Sequence, residues 1–63
     1  MRNLKVGDLV KSKDGQLAII LSEPRKDPWM PGRFISEIVW AKQPGRTWTV
    51  YVDEFLLVGE ENG

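Results

Sequence analysis

The sequence predicts an all-β domain of five short strands, and three observations carry that prediction. No segment sets three apolar residues at helical spacing without a proline or glycine between them. Turn residues, among them Asp14-Gly15 and Pro44-Gly45, cut the chain into extended pieces of strand length. Residues 46–52 alternate, with Trp48, Val50 and Val52 on one face and Thr47, Thr49 and Tyr51 on the other.

The first strand covers residues 6–11 and is entered through Gly7. Lys13-Asp14-Gly15-Gln16 then supplies the Asp-Gly pair that favours a two-residue hairpin. Strand two is residues 17–22, and five of its residues in a row are apolar. A sheet with one wet face alternates, so both faces of this strand are expected to be covered, one by the core and one by something else. Residues 23–33 hold three prolines and a glycine and are expected to form a stiff loop with no regular element. Strand three is residues 34–42, with Ile38 and Trp40 on one face and Glu37, Val39 and Ala41 on the other. Gln43-Pro44-Gly45 turns the chain into strand four, residues 46–52. Residues 52–55 have room for a single 3₁₀ turn before Leu56-Leu57-Val58 closes the sheet. Residues 59–63 read as a frayed polar tail.

With 63 residues, the chain reads as a single domain over residues 1–63, its core within about residues 6–58. A core this thin leaves few kcal/mol of net stability, so oligomerisation is the expected reinforcement. The absence of cysteine and histidine excludes disulfides and the usual zinc sites, and neither a cofactor nor a metal is expected. No apolar run has the length of a signal peptide or a membrane span, which predicts a cytoplasmic protein without membrane partners. Net charge is zero but uneven: residues 1–33 carry seven basic and four acidic side chains, and residues 34–63 carry two and five.

Five strands, an early hairpin, a long loop after strand two and one 3₁₀ turn before the last strand form a definite order. The residues that carry it are Val6-Gly7-Asp8-Leu9-Val10, the Asp14-Gly15 to Ile20 hairpin, Ile38-Val39-Trp40, and Tyr51 through Val58. This order resembles the SH3-like small β-barrel, the group of the KOW, Tudor, CAP-Gly-like and Sm-like barrels and of many short phage-encoded proteins. The resemblance implies a five-stranded barrel with one 3₁₀ turn before its last strand. An Sm-like member would be an RNA-binding ring.

Catalysis is not expected. Histidine is absent, and Ser12, Ser22 and Ser36 have no base in view. Asp53 and Glu54 are neighbours in a turn, which points them apart. No Gly-rich phosphate loop is present.

The aromatics say more. Trp40 and Phe55 occupy interior positions of the pattern, while Trp48 is divided between core and barrel mouth. In the SH3-like and Tudor-like barrels an aromatic groove holds a proline-rich or methyl-lysine ligand, and Trp29, Trp48 and Tyr51 are the candidates for such a groove. The competing reading has Trp29 capping the barrel end or packing on a second subunit. Pro28-Trp29-Met30-Pro31-Gly32-Arg33 also fits the Pro-x-x-Pro-x-Arg pattern of polyproline II ligands. The preferred binding residues, for a partner or a second subunit, are Trp29, Met30, Arg33, Trp48, Tyr51 and Ile19, since tryptophan and arginine dominate interface hot spots.

The leading expectation is therefore a non-enzymatic binding or assembly protein that works through protein contacts, as a homo-oligomer. The alternative is single-stranded nucleic-acid binding by Arg25, Lys26 and Arg33 with Trp29 as a stacking platform. A pI near 6.2 and zero net charge count against it. A phage-type inhibitor of a host protein is a further alternative without residue-level support.

Overall fold

The computed structural model describes residues 4–58. The expected tail at 59–63 lies outside them. The described chain is all-β: β1 (Leu9–Lys11), β2 (Leu17–Ile20), β3 (Arg25–Lys26), β4 (Phe34–Trp40), β5 (Thr47–Tyr51), a 3₁₀ turn (Val52–Glu54) and β6 (Leu56–Leu57). All pairings are antiparallel: β1 with β2 and β6, and β4 with β2, β3 and β5. Ile38 pairs with both Ile20 and Trp48, and Ile35 with both Arg25 and Tyr51. Since a strand has only two edges, β2 and β3 share one edge of β4, and β5 takes the other.

The sheet is therefore six-stranded and open, where five strands closing as a barrel were expected. The sixth strand is β3. Prolines 24, 28 and 31 flank Arg25-Lys26 without interrupting it, so those residues keep their N–H groups and pair with Phe34 and Ile35. The Asp27 N–H donating to the Arg33 carbonyl continues the ladder, and the Arg33 N–H donating to the Met30 carbonyl closes the tip. The stretch 23–33 is thus a hairpin arm rather than an irregular loop. At the other end, β6 has only two residues, and the 3₁₀ turn carries the chain from β5 to β6 without bringing their edges together.

The first hairpin also differs in detail. Ser12 N–H donates to the Gln16 carbonyl at 2.9 Å, which leaves a three-residue loop, Lys13-Asp14-Gly15, instead of two. Gly15 sits at φ +90°, the left-handed position such a loop requires at its last residue. The Ser12 hydroxyl donates to the Asp14 carboxylate and, with Gln16, holds that carboxyl below its ordinary range. Strand one begins later than expected because Gly7 and Asp8 both bond to Ile20, a two-against-one bulge.

The core is one layer of aliphatics from the inner face: Val10, Ala18, Ile20 and Ile38, closed by Leu4, Val52 and Phe55. Trp40 is half-buried and packs on Phe55 with ring centroids 5.7 Å apart, which bears out their interior placement. Ser36 is the surprise, fully buried on the core face of β4. Its hydroxyl donates to the Ser22 carbonyl, while the Ser22 hydroxyl accepts from the Glu37 N–H at 3.0 Å. These bonds fasten the chain as it leaves β2. Ser36→Ala should cost about 1–3 kcal/mol, because it leaves the Ser22 carbonyl without its donor; urea midpoints of parent and variant measure it.

Candidate functional site

Three groups of side chains reach the surface with something to offer. The first is the outer face of the sheet. Leu9 pairs with Ile19 and Ile19 with Val39, while Lys11 lies between Leu17 and Leu56. These residues alternate with the buried Val10, Ala18, Ile20 and Ile38, so they point away from the core. Leu17, Ile19 and Leu21 are each 40% exposed, and Leu9 and Leu56 are close to that. The second cover expected for β2 is therefore not supplied by the described residues.

The second group is the tip of the β3–β4 hairpin. The Asp27 carboxylate accepts from the Trp29 N–H at 3.0 Å, and this turn throws the indole outward, leaving Trp29 86% exposed. Trp29 does not fold back on the sheet as a cap. Met30 beside it is also exposed. Met30 and Arg33 close a hydrogen-bonded turn with Gly32 at φ +86°, so Pro28–Arg33 is not the extended polyproline II ligand its motif suggests.

The third group is an ion cluster at the base of that hairpin. The Arg33 guanidinium grips Asp53 with two bonds, Nε to Oδ2 at 2.7 Å and Nη2 to Oδ1 at 3.0 Å, and reaches Glu54 Oε2 at 2.8 Å. It also lies 4.1 Å above the centre of the Tyr51 ring. The bond to Asp53 raises the Arg33 pKa and holds the Asp53 carboxyl below its ordinary value. A hydrogen bond to Asp27, with desolvation, pushes the Tyr51 phenol up from 10.0. Asp53 and Glu54 thus converge on one cation, where adjacency in a turn suggested divergence: the guanidinium is a planar fork that two neighbouring carboxylates can reach together.

This arrangement redistributes the expected binding residues. Trp29 and Met30 are free at the tip, and Ile19 lies on the outer face. Arg33 and Tyr51 are engaged inside the molecule. Trp48 pairs with the core-facing Ile38 and Tyr51 with Ile35, so the two rings leave β5 on opposite faces and do not line one groove. Arg46 covers Trp48, 5.0 Å from its ring. Arg25 and Lys26 are consecutive strand residues and also point to opposite faces. Sequence reasoning missed Asp27 and set Asp53 and Glu54 aside as diverging; the opposite charge of the two halves of the chain was the signal that the halves meet.

Among the described residues no helix is long and apolar enough to cross a membrane. Comparison with protein-family models, with curated proteins and with solved structures returns no match.

Proposed function

We propose that this chain is a non-enzymatic binding and assembly protein of the SH3-like small-barrel type, acting through protein contacts and self-associating. The observation that carries the reading is the outer face of β1, β2 and β6. Leu9, Leu17, Ile19 and Leu21 form an apolar surface there, on the side of the sheet opposite the filled core, and Lys11 stands between Leu17 and Leu56 at its border. A patch on the order of a few hundred Å² is what marks contact sites on small soluble proteins. Trp29 at the hairpin tip adds a large apolar knob of the residue type that most often anchors an interface. The strand order β5-β4-β2-β1-β6, with a 3₁₀ turn between β5 and β6, supports the barrel-type assignment.

Light scattering over a concentration series tests the proposal. The parent is expected to exceed the mass of one chain, and Ile19→Asp and Trp29→Ala are expected to lower it. Two variants that run like the parent would mean the interface is elsewhere. Nucleic-acid binding has weaker support, since Arg33 is neutralised by two carboxylates and phosphate contacts need clustered cations.

A further inference from the structure

We infer that a second copy of this chain docks on the open edge of β5, strand antiparallel to strand, about a two-fold axis at Thr49. The inference rests on the assembly reading only in requiring self-association, and it uses a different surface.

The direction of the backbone groups comes first. The Leu21 N–H donates to the Glu37 carbonyl at 2.7 Å, and the Ala41 N–H to the Leu17 carbonyl at 2.9 Å. The peptide groups of Glu37 therefore face β2, and by alternation those of Ser36 and Ile38 face β5. Their partners Val50 and Trp48 point back at β4. The N–H and C=O groups of Thr47, Thr49 and Tyr51 consequently point to the other side, where no strand pairs among the described residues.

Such an edge is a template for another strand unless lysine, proline, a bulge or extreme shortness blunts it. The edge of β6 is blunted by its two-residue length. β5 has five residues, Thr-Trp-Thr-Val-Tyr, with neither charge nor proline among them.

The partner that fits is β5 itself. Centred on Thr49, an antiparallel pairing sets Thr49 against Thr49, Thr47 against Tyr51 and Trp48 against Val50 of the second copy. The three outward-pointing residues of each copy then fall opposite one another, giving about six main-chain hydrogen bonds. Trp48 and Val50 meet as an aromatic–aliphatic cross-strand pair, which covers an indole that is 40% exposed in the single chain.

Charge selects the same orientation. Arg46 precedes the strand, and Asp53 and Glu54 follow it. In the antiparallel arrangement Arg46 falls opposite Val52 of the second copy, one residue from Asp53. That end carries surplus negative charge, since among the described residues it is Arg33 that meets both Asp53 and Glu54, with Asp27 close by on Tyr51. A parallel pairing would instead bring like charges together.

Two variants and one labelling experiment test the dimer. Thr49→Pro removes an outward N–H while leaving the β4 ladder intact, since an edge strand tolerates proline on its free side. It should run at a lower mass than the parent, by the loss of the edge contact, with the circular dichroism of the parent. Arg46→Glu, an exposed change that does not touch the backbone, should weaken the dimer about tenfold or more at low salt. Amide exchange at Thr47, Thr49 and Tyr51 should slow as protein concentration rises, with the other strands little changed. If both variants dimerise like the parent, or those amides exchange fast at every concentration, the edge dimer is overturned. Should Thr49→Pro not fold, Arg46→Glu and the exchange data decide. Ile19→Asp separates this proposal from the outer-face reading: a mass lowered by Ile19→Asp alone removes the edge dimer and keeps the face, and the opposite pattern does the reverse. A parent that stays at single-chain mass overturns the dimer and leaves the outer face to a different protein.

Discussion

Ile38→Ala is expected to remove a large fraction of the stability of the fold. Ile38 has no exposed surface and stands where β4 is paired on both sides, to Ile20 of β2 and Trp48 of β5. Its side chain fills the centre of a one-layer core, and deleting three carbons there costs about 2–5 kcal/mol, because a strand locked on two edges cannot collapse into the cavity. A domain of this length has on the order of 3–9 kcal/mol of total stability, so the loss is a large fraction of the whole. Val39→Ala supplies the comparison, since Val39 occupies the next position on the outer face. It should lower the urea midpoint far less, as its side chain is only half-buried. Equal midpoints for the two variants would mean that the inner and outer faces of β4 have been assigned wrongly.

The contrast between these neighbours shows which parts of the fold could be read from the sequence. The strand after Pro44-Gly45 and the Asp14-Gly15 turn are local: β5 sets Trp48 and Val50 opposite the core-facing Ile38 and Ser36, though its burial deepens along the strand rather than alternating, and the hairpin loop is one residue longer than expected. The 3₁₀ turn and the short last strand also fall in place, because the spacing between Tyr51 and Val58 leaves no room for anything longer. β3 could not be read, since its evidence is a pairing partner eight or more residues away and its prolines look like loop signals. The burial of Ser36 could not be read either, because nothing near it in sequence announces the carbonyl of Ser22, 14 residues earlier. Whether the sheet closes is likewise a property of edges that only three dimensions bring near each other. For the site, residue type was informative and position was not: Trp29 is exposed as its loop suggested, whereas Arg33 is turned inward by Asp53, 20 residues on.

That inward turn sets up the second large effect, a flattened pH dependence in Arg33→Met. In the parent, the guanidinium holds the folded-state pKa of Asp53 below its unfolded value. A depressed carboxyl stabilises the fold above the unfolded pKa, about 3.9, and this contribution is lost as pH falls through the folded value. Cooling of the melting temperature below about pH 4 is therefore expected for the parent. Methionine keeps an apolar stem near Tyr51 and removes the charge. Asp53 then keeps only the backbone N–H bonds from Phe34 and itself, opposed by desolvation. Its folded pKa moves back toward the unfolded one, so the variant loses most of the parent's acid-side slope. Added salt should lower the melting temperature of the parent, by weakening its ion pair, and change that of the variant little. Arg33→Lys restores the charge without the two-pronged grip and should recover part of the parent's slope. Thermal melts of the three proteins between about pH 3 and 7 give the answer. Parallel curves for parent and Arg33→Met would mean that the clasp between hairpin and 3₁₀ turn is too solvated to stabilise the fold, and that Arg33 is available to a partner after all.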